Sequence, residues 1–125
     1  ITRIEAYLRG GYVKYNPDGT LTQVIPENAE PLLSEDGIRE IISIMRSRLD
    51  SILSASILDM NFIRDEVYFF NINLIFILYR NAEKWKIKKY KFNEIIDFLV
   101  SSYEMVLRRS LEGSFLKALF LRATL

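Results

Sequence analysis

The chain contains no cysteine and no histidine. The first absence excludes a disulfide framework and any thiolate metal site, and leaves the redox compartment open. The second removes the commonest general base and the commonest metal ligand together. Glycine and proline are sparse, at five and three of 125 residues. No Gly-rich phosphate loop, nucleophile elbow or metal motif is present. Two carboxylate pairs stand out, Asp65 with Glu66 and Glu94 with Asp97. Both lack the companions that acid–base or metal chemistry needs in a cleft, and the second is placed to complement a helix dipole. The sequence therefore predicts no catalytic residue, no metal ligand and no cofactor, and a protein that is not an enzyme.

What is present is apolar. Hydrophobic residues make up 50% of the chain and charged residues 26%, the upper end of the apolar range for a single globular domain, so part of that surface is expected at an interface. The net charge of +1 hides an asymmetry. Residues 1–66 carry seven Lys and Arg against eleven Asp and Glu, a net of −4, and residues 67–125 carry ten against five, a net of +5. Opposite halves of this kind suit head-to-tail association between copies. The opening Ile1-Thr-Arg-Ile-Glu5 has no apolar core of a secretion signal, which leaves a cytoplasmic or virion setting, and a first residue other than Met reads as a trimmed, processed or partial chain.

The most apolar stretch is Val67 to Tyr79, flanked by Arg64, Asp65 and Glu66 before and by Arg80, Glu83 and Lys84 after. A helix of this length is too short to cross a hydrocarbon core comfortably. Strands would tolerate the same residues, but no Gly or Pro interrupts Phe62 to Ile87, and that length favours a helix. Its apolar positions fall in three stripes: Ile63, Val67, Phe70, Leu74 and Ile77; Tyr68, Ile72, Ile75 and Tyr79; Phe62, Phe69 and Phe76. A helix apolar all round is expected to be surrounded by protein. Asn71 and Asn73 are the odd residues within it. They point about 200° apart, so at most one can face a given neighbour, either pairing with its own copy or satisfied locally.

Residues 1–33 read as extended. Tyr12–Tyr15 and Thr20–Ile25 flank Asn16-Pro17-Asp18-Gly19, the composition of a type I turn with a G1 bulge, hence a β-hairpin. Two strands alone are marginal in water, so this arm lies either on its own chain or on a neighbour. Ser34, Glu35 and Asp36 then open an amphipathic helix over about 35–58. Its apolar stripe is Ile38, Ile42, Met45, Leu49 and Ile52, with Arg39, Glu40, Arg46, Arg48 and Asp50 facing away and the small Ser54 and Ser56 near its end. A third helix opens at Asn93 with the stripe Phe92, Ile96, Leu99, Tyr103 and Val106, and Gly113 is placed to end it. The tail 114–125 is again apolar, through Phe115, Leu116, Leu119, Phe120, Leu121 and Leu125. It is expected to close the helices as a fourth, to enter a neighbour's groove or to lie on a membrane surface, in that order.

The predicted fold is mainly α: a three-helix or four-helix bundle over 34–125, with an N-terminal β-hairpin arm over 1–33 and an apolar C-terminal helical tail. The function expected of it is non-enzymatic. It is a small structural or assembly subunit of a homo- or hetero-oligomeric complex, with Tyr12, Tyr15 and Val24 of the arm and Phe115, Leu116, Leu119 and Phe120 of the tail as interface residues. Head-tail adaptors and neck proteins of tailed-phage virions combine helices with extended arms in this way, an analogy of architecture rather than of sequence. The alternative is a nucleic-acid-binding accessory protein. Lys84, Lys86, Lys88, Lys89 and Lys91 interleave with Trp85 and Tyr90, a composition able to neutralise phosphates and stack on bases, or equally to form a solvated connector that Trp85, Ile87 and Tyr90 pin to the bundle. A third reading is a peripheral membrane module using the tail. Integral membrane insertion is not expected.

Overall fold

The computed structural model describes residues 2–54 and 60–124, with side chains described for 3–54 and 61–113. The described residues are mainly helical. α1 spans Thr2–Leu8, α2 Glu35–Leu53, α3 Met60–Asn81 and α4 Phe92–Thr124, the last preceded by a 3-10 turn at Lys89–Lys91. Two strands, β1 at Tyr12–Tyr15 and β2 at Leu21–Val24, pair antiparallel in the register Tyr12 with Val24 and Tyr15 with Leu21. The expected turn joins them. Gly19 takes φ +85°, its N–H donates to the Asn16 carbonyl at 3.0 Å, and the Asn16 N–H donates to that of Thr20 at 2.9 Å. The Asp18 carboxylate accepts from the Thr20 hydroxyl at 2.6 Å and its N–H at 2.9 Å, bonds that hold it below the usual carboxylate range.

α1 corrects the expectation that no helix precedes residue 33. Seven residues are too few to hold a helix by propensity, and this one is held by packing. Ile4, Ala6 and Leu8 are buried. The Tyr7 ring stacks on Phe98 of α4 at 3.9 Å between centroids, and the Arg3 guanidinium lies over the same Phe98 ring. Arg9, just beyond α1, forks onto Glu5 and onto Glu35 in the first turn of α2. That contact holds Glu35 below its ordinary pKa. After the hairpin the chain returns to α1, where the Leu32 N–H donates to the Leu8 carbonyl at 2.9 Å.

α2 starts where the sequence places it. The Ser34 hydroxyl accepts from the Gly37 N–H at 3.3 Å, and Ile38, Ile41, Met45, Leu49 and Ile52 are buried on one face. Ser54 closes this helix; Ser56 and the expected continuation to Leu58 fall outside the described residues. α3 and α4 run antiparallel, with Phe70 stacked on Tyr103 at 3.9 Å and Tyr79 edge-on to Phe92 at 5.4 Å. Ile63, Phe70, Leu74 and Leu78 join Ile95, Ile96, Leu99, Tyr103, Leu107 and Leu111 in the core.

Three further expectations are corrected. α3 is not surrounded: one side is buried, while Tyr68, Phe69, Phe76 and Tyr79 are exposed on the other. α4 does not stop at Gly113 and does not begin at Asn93, but runs unbroken from Phe92 to Thr124. The tail is thus the continuation of the third predicted helix. Arg48 does not face away. It is half-buried and turns in to Glu66, which is buried within the α3 core face.

Candidate functional site

The hairpin stands on α1 and little else. The Gly11 N–H donates to the Ala6 carbonyl at 2.8 Å, and six of the eight strand residues are exposed, Val13 and Val24 being half-buried. Cross-strand neighbours share a face. Tyr12 and Val24 therefore lie together on one side, while Tyr15 lies on the other beside Leu21. The structure brings two of the three predicted arm residues together and sets the third on the opposite face. Tyr12, Tyr15, Leu21 and Ile25 are all exposed, so the arm carries apolar side chains on both faces. Each strand also has one edge unpaired among the described residues, where the sheet holds these two strands. Leu21 and Ile25 were not among the predicted arm residues, though the turn at Asn16 to Gly19 already set Leu21 opposite Tyr15.

The predicted tail residues Phe115, Leu116, Leu119 and Phe120 have side chains outside the described residues. The backbone of that segment is helical. The antiparallel register set by Tyr103 on Phe70 and Phe92 on Tyr79 places the first residue of α3 level with Glu112. At a rise of 1.5 Å per residue, residues 113–124 carry α4 about 18 Å past that level.

The basic run is mostly a helix terminus. The Ile87 N–H donates to the Ala82 carbonyl at 3.0 Å, and the Lys86 N–H to that of Glu83 at 3.2 Å. With Lys86 at φ +53°, this is the hydrogen-bond pattern that closes many helices, with a lysine where glycine is usual. It turns Trp85 and Ile87 inward, and both are buried. Trp85 packs on the backbone of Gly37. A Cβ added there would lie 2.7 Å from Leu33 and 2.8 Å from the Trp85 ring. The Ser34 N–H donates to the Trp85 carbonyl at 2.6 Å, and the Lys88 N–H to that of Leu32 at 3.2 Å. Trp85 is therefore not free to stack on a base. Lys88 pairs with Glu30 at 2.8 Å and Lys91 with Glu94 at 2.9 Å. The Glu30 contact raises the Lys88 pKa, and Lys88 lowers that of Glu30. Lys84, Lys86, Lys89 and Tyr90 are exposed.

One buried polar cluster was missed in the sequence. Glu66 Oε1 accepts from the Tyr103 hydroxyl at 2.7 Å and from Arg48 Nε, and Oε2 accepts from Arg48 Nη2 at 3.1 Å. Burial, with the Glu66 carboxylate next in size, pushes the Tyr103 phenol well above its ordinary value. The signal was available: Glu66 lies between Ile63 and Phe70 on the stripe that becomes the core face. The cluster joins α2, α3 and α4 at one point. The buried carboxylate of Glu66 and phenol of Tyr103 are partnered within the cluster, and Arg48 closes it from the half-exposed side. Asp65 faces solvent and Glu66 the core, which separates that predicted carboxylate pair. Asn73 is exposed, and Asn71 Oδ1 is buried with no hydrogen-bond partner among the described residues.

Among the described residues no helix is long and apolar enough to cross a membrane, and no three acidic side chains gather as a metal ion would require. No protein-family model, curated protein or solved structure matches the chain.

Proposed function

We infer that the chain is a non-enzymatic assembly subunit. It is built as a three-helix bundle of α2, α3 and α4, from which the hairpin and the end of α4 reach out to other copies or partners. The observation that carries this reading is the hairpin. Tyr12, Tyr15, Leu21 and Ile25 are exposed on a two-stranded sheet with open edges, and such a sheet gains most when another surface covers it. The reach of α4 past α3 supports it from the other end, because Phe115, Leu116, Leu119 and Phe120 lie beyond the level at which α3 begins. An arm and a tail on halves of opposite charge give each copy one sense of attachment to the next, and contacts of that type close into rings or extend as filaments. Small adaptor subunits of tailed-phage virions are the kind of component this architecture suits.

The test is truncation. Chains in which hairpin residues 12–24 are replaced by a short Gly-Ser linker, which leaves the buried α1 in place, or which lack residues 114–125, are expected to lose the parent's native mass by light scattering while keeping most of the helical signal of α2, α3 and α4. The reading fails if both truncated chains keep the parent's mass.

A further inference from the structure

α3 is apolar on every side, and a helix of that kind is normally enclosed by protein. Among the described residues one side is enclosed. On the other, Tyr68, Phe69, Phe76 and Tyr79 are between 56% and 73% exposed. At 100° per residue these rings, with Ile72 between them, fall within one stripe about 100° wide. Rings of about 200 Å² each leave roughly 500 Å² of apolar surface at these exposures, a size at which a patch marks an interaction site. The stripe has an acid at one end, Asp65, loosely paired at 3.8 Å with the neighbouring Arg64 at the stripe's margin, and a base at the other, Arg80, all three exposed; an exposed pair this long is worth little and can be exchanged for a partner's base.

We propose that this stripe is the contact between two copies of the chain, paired antiparallel about a two-fold axis passing between Ile72 and Asn73 of α3. In that register Phe69 of one copy is level with Phe76 of the other, Tyr68 lies within a turn of Tyr79, and Asp65 faces Arg80. The opposite charges meet twice, once at each end. Parallel pairing would instead set Asp65 against Asp65 and Arg80 against Arg80, so the charge pattern selects the antiparallel arrangement. Two such stripes bury about 1,000 Å² together, the lower bound for a specific interface. A membrane surface fits less well, since it calls for a row of cations along the apolar face and this stripe has an acid, Asp65, on it and bases only near its two ends. The proposal rests on the assembly reading but places a contact on a different surface from the hairpin and the α4 tail.

The test uses the full chain and full-chain variants in sedimentation velocity across a dilution series. Phe69→Glu with Phe76→Glu is expected to weaken the dimer at least about 100-fold, with an unchanged circular dichroism spectrum because both rings are already exposed. Asp65→Arg alone and Arg80→Asp alone are each expected to weaken it about tenfold. Combining the two reversals is expected to restore the parent's dissociation constant, and this rescue also reads the register directly. If the parent self-associates and the double phenylalanine variant does so equally well, the stripe is not the contact, while assembly through the ends stands. If the reversals fail to rescue each other, the antiparallel register is wrong. If the parent shows no self-association and anionic vesicles bind it through Phe69 and Phe76, the occupant is a membrane and the proposal is overturned. A parent that neither self-associates nor gains a partner removes this proposal and the assembly reading together.

Discussion

Replacing Glu66 by alanine should be among the most destabilising changes in the chain that touch no apolar contact. The carboxylate accepts three hydrogen bonds, one from the Tyr103 hydroxyl and two from Arg48. Its loss strands the Tyr103 hydroxyl, whose residue has no exposed surface, and an orphaned buried donor costs about 1–3 kcal/mol. Arg48 is 38% exposed, so water takes up most of its unpaired charge and the added cost is at most about 1 kcal/mol. The lost methylene contributes about 0.8 kcal/mol. The sum is about 3 kcal/mol, a large part of the stability of a small domain. Urea unfolding followed by circular dichroism measures it, with an unchanged slope showing that the same surface unfolds. Adding Tyr103→Phe to Glu66→Ala should cost less than Tyr103→Phe does in the parent, because the hydroxyl is already orphaned. The reasoning is refuted if Glu66→Ala unfolds within about 0.5 kcal/mol of the parent, the scatter of ordinary surface substitutions.

Gly37→Ala should destabilise by about 1–3 kcal/mol, since its Cβ would press into Leu33 and Trp85; a red shift of Trp85 fluorescence would accompany it. Phe70→Ala should cost about 3–5 kcal/mol, as Phe70 is buried and stacked on Tyr103, and a melting midpoint equal to the parent's would contradict this. For pH, the Tyr103 phenol has a folded pKa raised above its ordinary value. Its contribution to stability is therefore fully present below pH about 10 and is lost as the pH rises above that. Alkaline titration should show part of the tyrosinate absorbance appearing only as helix is lost, and Tyr103→Phe should remove that part.

What the sequence revealed was local. Ser34 caps α2 through a bond three residues away, Asn16 to Gly19 dictate their own turn, and the stripes Ile38 to Ile52 and Ile96 to Tyr103 state which way their helices face. What it hid depends on partners distant in the chain. α1 exists because Phe98 offers Tyr7 a ring to stack on. Lys86 ends the turn after α3 in a conformation that composition assigns to glycine, so the sequence showed Trp85 and Ile87 as able to pin the lysine run but not that Trp85 would seat on Gly37, a partner 48 positions away. An all-apolar helix such as α3 has no polar side to show which face its own chain covers. Of the predicted surface residues, Tyr12 and Tyr15 are exposed, Val24 is half-covered beside Tyr12, and the tail residues lie outside the described side chains.

The central claim is that the chain is made to join copies or partners, and native mass tests it most directly. Sedimentation equilibrium of the full chain across a dilution series is predicted to show a discrete oligomer that dissociates on dilution to the 14.7 kDa monomer. A monomer throughout the series, with no partner that binds the hairpin or the tail, would contradict the account.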